Sequence, residues 1–585
     1  MYKNIRDKPG ARLSSHRDVL GKRHGDSAAQ RAMNWARNIA SRQLLLQVLV
    51  LLAIWTYLFT LHLDNDGLWF QGDSPRHAVT GFFWLDYLRD FTTDAKGYAL
   101  SYYARYPAID PASRPPVFYL LEAAAFALLG PSPYAAKTVV LIFSLLSALY
   151  LMAWLRHSIS SEAGWAAGLL LLLPGMMTWS HAIMLNVPAL AFGLGALYHA
   201  RRWLETHDGR RPDFLAATLL TLLGILTYYT AGIVVIIIAS WMVLQRDWRR
   251  PVNEKVLLVA GISIFTLLPF VWLIAHWAQI QLGWLLPSAS HLATLSTWTF
   301  YPLLMPQIVD MHLIFLAGLG LLTGLAQRRW RREAIILTSW IAILYVVFSI
   351  IYAKDIRYAL PVMAPLVMLC AIGVNGVSEW LKRRLHMSGP AGRQLTTMVI
   401  LVILLSQAYL IRQHTVPSVS GYRELVAFLE QAAPTEPLFY EGYHDGIFTF
   451  YVRAGDDDFQ RRVVLGSKLL YASAKVPGWR QQDFVNSPED VVRVLRDQGG
   501  ARWLAVEVPA RGQQSAPVRA LYEALGTSDF ELVRSFSIDA SSVERVDVYR
   551  FRLPVREVKE VELPFPVLGP DVRYRTRPVT RGYSD

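Results

Sequence analysis

The sequence predicts a polytopic α-helical membrane protein that carries a C-terminal α/β domain, and three observations lead there. The 585-residue chain is 53% hydrophobic with a mean hydropathy of +0.27, too apolar for a typical soluble enzyme and too polar to lie wholly in a bilayer. Apolar runs recur from Leu44 to about residue 411, and arginine-rich blocks separate alternate pairs of them. Beyond residue 412 the pattern changes to short amphipathic helices and strands.

Each element follows in order. Residues 1–43 carry ten Lys or Arg against three Asp, which places this polar tail in the cytoplasm. Leu44–Leu63 is uncharged and about 20 residues long, enough to span a bilayer. It has no small-residue cleavage site, so it reads as an uncleaved anchor. Further runs lie near 133–155, 163–181, 186–200, 214–228, 230–245, 255–277, 311–327, 334–352, 358–377 and 395–411. The blocks at Arg201–Arg202 with Arg210–Arg211, at Arg246–Arg250, at Arg328–Arg332 and at Lys382–Arg384 mark the inner loops. Eleven spans over 44–411 satisfy this rule, with outer connections at 64–132, 182–185, near 229, 278–310 and 353–357. Residues 117–129, "VFYLLEAAAFALL", are short and contain Glu122; counting them as a span would put every later arginine block outside, so an interfacial or re-entrant helix is expected. Residues 412–554 form the α/β domain, on the outer face, and 555–585 an extended tail.

Composition narrows the function. A net charge of +13 would suggest nucleic acid in a soluble protein, but here the basic residues are loop anchors and no nucleic-acid partner is expected. The only cysteine, Cys370, excludes an intrachain disulfide. No P-loop, dinucleotide fingerprint, nucleophile elbow or metal-ligand spacing appears. The acidic turns "DND" at 64–66 and "GDDD" at 455–458 leave a divalent cation possible, without a ligand motif to support one.

The chemistry-bearing residues crowd the outer connections. The loop 64–132 holds seven aspartates and Glu122 among many aromatics, and a loop this long is functional or disordered. In "WFQGDSPRHAV" Asp73 precedes a Ser-Pro step, which is a helix-start signal, so capping is one reading. The other is an acid doing chemistry at the lipid boundary, with Arg76 and His77 on the same helical face and Phe82, Phe83, Leu85 and Leu88 on the membrane below. Transfer of a sugar from a lipid phosphate suits such a place: a carboxylate takes the proton of an acceptor hydroxyl while cations hold the departing phosphate. Candidate cations are Arg114, before Pro115-Pro116, and the outer pair Lys354 and Arg357 in "YAKDIRYALPVMAP", which runs against the positive-inside bias. Local pairing with Asp355 is the alternative for that pair. His181 and Asn186 lie in the outer connection "SHAIMLNVPAL", where Asn186 also fits a helix cap.

"WFQGDSPRHA", "SRPPVFYLL" at 113–121, "MLNVPAL" at 184–190 and "KDIRYALPVMAP" at 354–365 follow one another in an order that resembles the bacterial GT-C glycosyltransferases related to protein O-mannosyltransferases and lipid A aminoarabinose transferases. The resemblance covers about residues 40–411 and does not extend to the C-terminal domain. It implies a GT-C fold, a polyprenyl-phosphate-linked sugar donor, inversion at the anomeric carbon and a site facing the periplasm of a bacterial inner membrane. It implies Asp73 as the catalytic carboxylate, acting as general base, and Arg76, Arg114, Lys354 and Arg357 with Tyr358 at the donor phosphate. His77, Glu122 and Asn186 would line the site. Many relatives have Asp where this chain has Asn186, which removes a second acid and weakens a metal-dependent mechanism. The expected partners are membrane lipids, the lipid-linked sugar, and an acceptor glycan, lipid or protein. A transporter or flippase would need charged or broken mid-membrane segments, which are few here. A membrane-anchored glycan-binding assembly protein is a third reading.

Overall fold

The structure is a computed structural model that describes residues 41–61, 73–110, 114–205, 211–244, 289–472, 481–509, 514–564 and 572–581. The expected span at 255–277 and the acidic turn at 64–66 lie outside the described residues. The chain divides into two units, Met1–Ala53 and Ile54–Asp585. Of the first, only the start of helix α1 (Ser41–Leu61) is described.

The second unit begins helical. Three helices fill the first long connection: α2 (Asp73–Asp90), α3 (Ala95–Arg105) and α4 (Val117–Leu129). Then come α5 (Pro133–Ser158), the pair α6 (Ala163–Leu171) and α7 (Pro174–Ser180), α8 (Asn186–Glu205), α9 (Arg211–Ile225) and α10 (Ile233–Leu244). They are followed by α11 (Leu295–Leu304), α12 (Met311–Ala326), α13 (Arg328–Ile350), α14 (Met363–Arg384) and α15 (Gly389–Ile411). Among the described residues five helices are long and apolar enough to cross a membrane, or seven if each of two bent pairs is one span. The pairs bend by 54° between α6 and α7, and by 112° before α12.

Local chemistry sets several ends. The Ser132 hydroxyl accepts the Ala135 N–H at 3.2 Å with Pro133 in the first turn, and Lys382, Arg383 and Arg384 sit in the last turn of α14, where cations favour the negative helix terminus. The apolar window of α14 is 78% buried and that of α15 only 28%, so α14 lies inside the bundle and α15 at its edge. Close approach of α12 to α14 depends on glycine: a Cβ on Gly320 would stand 1.8 Å from the Leu369 carbonyl oxygen.

Beyond α15 lies the α/β domain. It comprises α16 (Tyr422–Ala432), β1 (Leu438–Glu441), α17 (Asp445–Ala454), β2 (Val463–Leu465), α18 (Pro488–Val494), β3 (Trp503–Pro509), α19 (Ala516–Leu525), β4 (Phe530–Ala540) and β5 (Val543–Phe551). The sheet order is β2-β1-β3-β5-β4, with β1 parallel to β2 and β3 and the other neighbours antiparallel. Phe439, Leu504 and Val506 on one sheet face pack with Val491, Leu521 and Leu525 from α18 and α19. In the tail, β6 (Val561–Pro564) pairs with β7 (Arg573–Thr576). The chain then returns to α3, where the buried Val579 accepts from Arg105 Nε at 2.6 Å and donates to the Ser101 carbonyl at 2.9 Å.

One expectation about α2 is overturned. Phe82, Phe83 and Leu85 do not lie on a membrane surface but are buried; Phe82 stacks on Phe126 of α4 at 4.2 Å and meets Phe450 of α17 at 5.2 Å. Only Leu88 of that set is exposed. Helices α3 and α4, together with α17 of the α/β domain, cover the face that periodicity assigned to lipid: Phe83 packs on Tyr98 and Tyr102 of α3.

Candidate active site

Asp73 is the first residue of α2, as the Ser-Pro step predicts. Its carboxylate is not spent on its own helix. Arg357 Nη2 donates to Asp73 Oδ2 at 3.2 Å, and the side chain remains 45% exposed. Ser74 is buried, and its hydroxyl accepts the Ile183 N–H at 3.1 Å, tying the first turn of α2 to the connection before α8.

Arg357 is aimed by its neighbour. Asp355 accepts the Arg357 backbone N–H at 3.0 Å and pairs with Nε at 3.0 Å, so the end of the guanidinium points away from its own turn and towards α2. Local pairing and an outward reach therefore occur together. Arg114 is held differently: it stands over the Tyr228 ring, 5.8 Å from the centroid, and among the described residues no carboxylate is hydrogen-bonded to it. Its guanidinium lines the cleft, where a guanidinium can bind an anion. His77, one turn along α2, shares a hydrogen bond between Nδ1 and the Tyr119 hydroxyl at 2.7 Å.

These groups share one narrow cleft, lined by Asp73, His77, Arg114, Asn186, Tyr228 and Arg357 with Met184 and Leu185. Among the described residues that line it, Asp73 is the only acid. Burial opposes ionisation of Asp73, while the permanent charges of Arg357 and Arg114 and the hydrogen bond from Arg357 favour it, and the carboxyl lies below its usual range. Burial, together with Arg114 and Arg357, pushes His77 down to about 3, so the imidazole is neutral at physiological pH. Arg357, Asn186 and Tyr228 also line a narrow apolar groove that continues along α8, α10 and α13 past Leu190, Val234 and Trp340. Tyr358 lines the same groove and stacks on Phe348 at 5.7 Å. A charged pocket opening into an apolar channel suits an amphiphile with an anionic head.

Three expected site residues stand elsewhere. Lys354 Nζ donates to the Ser349 and Ile351 carbonyls at 2.6 and 2.9 Å, capping the C-terminus of α13. Glu122 is buried beneath α2, where a Cβ on Gly81 would meet its Cβ at 2.9 Å, and it does not line the cleft. Arg76 turns away from Asp73 to bind Asp445 of α17. The shared face expected for residues 73, 76 and 77 thus splits, with Asp73 and His77 towards the cleft. Tyr228 and Tyr119 were not anticipated; the available signals were the "YYTAG" break between two apolar runs and an aromatic one turn before Glu122. The acidic turn at 455–458 is used internally, since Asp456 accepts the Tyr106 hydroxyl at 2.7 Å and the Arg461 N–H at 2.8 Å.

Comparison with known proteins bears on this arrangement. Residues 113–274 match the family model described as dolichyl-phosphate-mannose-protein mannosyltransferase. ArnT from Cupriavidus metallidurans in the apo state superposes with a TM-score of 0.58 at 16% identity, over 89% of this chain and 100% of that one. The same enzyme bound to undecaprenyl phosphate gives 0.56 at 16% identity, over 88% and 99%. The oligosaccharyltransferase AglB from Archaeoglobus fulgidus, in complex with an inhibitory peptide and a dolichol-phosphate, gives 0.53 at 12% identity, over 79% and 69%. The protein is a multi-pass membrane protein with the GT-C fold, and over residues 113–274 it is matched to the dolichyl-phosphate-mannose-protein mannosyltransferase family.

Proposed function

We propose that this protein is a membrane glycosyltransferase that moves one sugar from a polyprenyl-phosphate carrier to an acceptor hydroxyl. The observation that carries the reading is the half-open carboxylate of Asp73 set between two guanidiniums, Arg114 and Arg357, at the head of an apolar groove. The lipid tail lies in the groove, and the phosphate binds Arg114, Arg357 and Tyr358 where groove and cleft meet. Asn186 and His77 line the space for the sugar or the acceptor.

In the reaction the sugar C1–O bond to phosphate breaks, and the polyprenyl phosphate leaves as an anion stabilised by the two arginines. The acceptor oxygen bonds to C1, and its proton passes to Asp73. One acid among the described residues of the cleft suits direct displacement, which inverts C1. Arg357 links the two halves. In the empty site it holds Asp73 ionised; an arriving phosphate competes for that guanidinium and returns basicity to Asp73 when the donor is in place. The arginine blocks between spans support a cytoplasmic N-terminus with the cleft and α/β domain on the opposite face, which the family resemblance makes the periplasmic face of a bacterial inner membrane. The α/β domain and the tail border the acceptor side.

The test uses full-length protein in lipid nanodiscs, a panel of undecaprenyl-phosphate-linked hexoses and pentoses, and envelope extract from a strain lacking the gene. Free undecaprenyl phosphate is the product measured. Wild type releases it with one donor, and Asp73→Asn slows release by about 10²–10⁴-fold at unchanged thermal stability. Full activity of Asp73→Asn overturns the assignment of the base, and no release with any donor overturns the transferase reading.

A further inference from the structure

Arg76 is one turn from Asp73 in sequence but serves a different partner. Its Nη2 donates to both carboxylate oxygens of Asp445, at 2.9 and 2.6 Å, although 369 residues separate the two. Asp445 opens α17, and α17 lies along α2. Ten positions further along α2, Asp86 accepts from Arg453 near the end of α17, with Nε to Oδ2 at 2.9 Å and Nη2 to Oδ1 at 2.6 Å. Phe82 and Phe450 meet between the two ion pairs. The helices therefore run in the same direction, pinned at both ends. Gly446 allows the close approach at the cleft end, since a Cβ there would stand 3.0 Å from Pro75 Cγ and 3.3 Å from Arg76 Cγ.

The position of Asp445 is set from within the α/β domain. The N–H groups of Tyr443 and His444 donate to Glu507 of β3 at 2.7 and 2.9 Å. His444 Nδ1, at 3.0 Å, and the hydroxyls of Tyr422 and Tyr440 donate to the same carboxylate. A buried acid saturated with donors thus fixes the turn that presents Asp445. At the other side, the first turn of α2 is held from three directions: Ile183 through Ser74, Arg357 through Asp73, and Asp445 through Arg76. The third contact alone comes from the α/β domain.

We infer that Arg76 and Asp445 are positioning residues, through which the α/β domain sets the orientation of Asp73 in the cleft. Arg76 is 39% exposed and Asp445 11%, and Asp86–Arg453 with the aromatic contact keeps the helices together without this pair. What the pair decides is where the first turn of α2 points, and small displacements of a reacting group are costly to rate. The inference rests on reading Asp73 as the base.

The test compares Arg76→Ala, Asp445→Ala, the double variant and Arg76→Lys in the full chain in nanodiscs. Each alanine variant is expected to lower kcat by about 10- to 100-fold, as a displacement of about 1 Å does. The double variant should be no worse than either single one, because one interaction is lost in all three. Arg76→Lys should keep most of the rate. Undecaprenyl phosphate affinity should stay within about two-fold of wild type, since the lost interaction is not with the donor. Hydrogen exchange in residues 73–80 should quicken in Asp445→Ala while β1 and β3 stay protected. Wild-type kcat and exchange in both single variants overturn the inference. So does a loss of lipid affinity in Arg76→Ala equal to that of Arg114→Ala, which would make Arg76 a phosphate ligand. Full activity of Asp73→Asn would overturn the base alone, and the exchange data would still decide the Arg76–Asp445 coupling.

Discussion

Helix α2 carries two carboxylate–guanidinium pairs that differ in almost every physical respect. Asp73–Arg357 is a single 3.2 Å contact with the carboxylate 45% exposed. Asp86–Arg453 is buried on both sides, at 0% and 1% exposure, with contacts of 2.6 Å and a further hydrogen bond from the Tyr102 hydroxyl at 2.7 Å. Arg453 also lies over Phe82 and Phe459, at 5.3 and 5.1 Å from their ring centroids. A saturated pair has no valence left for a substrate and can only hold helices together. The half-open pair can exchange its partner for an arriving anion. The difference between structure and chemistry on this helix is therefore one of unspent hydrogen-bonding capacity, not of residue type.

The largest break in that symmetry is in rate. Asp73→Asn should abolish most transfer and leave folding intact, as described above. Asp86→Asn should do the reverse, because it leaves Arg453 charged and buried; about 3–5 kcal/mol of stability should be lost, read as a lowered thermal midpoint of the full-length protein. If Asp86→Asn keeps the wild-type midpoint, the pair is not the joint it looks like. The cations give a smaller contrast. Arg114→Ala should weaken undecaprenyl phosphate binding by about 1.5–3 kcal/mol, roughly ten-fold or more in Kd, since it removes charged hydrogen bonds to the phosphate. Lys354→Gln should leave that affinity unchanged and cost about 0.3–1 kcal/mol of stability as a lost helix C-terminal cation. Equal effects of the two on lipid binding would contradict their placement.

The smallest effect is one of pH. Burial opposes ionisation of Glu507, but the donors from His444, Tyr422 and Tyr440 hold its carboxyl below the ordinary 4.5. A carboxyl lowered on folding contributes stability that is full above its unfolded value and is lost as pH falls through the folded one. The α/β domain should therefore loosen below about pH 4.5, with hydrogen exchange rising first in residues 443–450, and Glu507→Gln should flatten that dependence.

Much of the fold was legible before any coordinates. Apolar runs match α5, α8, α12, α13 and α15 to within six residues at each end, because a helix that faces core or lipid along its whole length leaves a continuous compositional trace. The α/β domain was readable from period-two and helical patterns, but its sheet order was not, since pairing joins segments as distant as Leu438 and Trp503. The lipid-facing assignment of Phe82 and Phe83 failed for a related reason. Periodicity finds an apolar face and is silent on whether lipid or another domain covers it.

The site divides in the same way. The sequence alone placed Asp73 at a helix start in an acidic outer loop, with Arg76, Arg114, Lys354 and Arg357 as the cations within reach of that side of the membrane. Only the tertiary structure decided among those four, giving Arg114 and Arg357 to the cleft, Lys354 to the end of α13 and Arg76 to Asp445. Residue type and spacing determine what a side chain can do. Its partner is chosen by the direction in which packing points it, and that depends on elements hundreds of residues away.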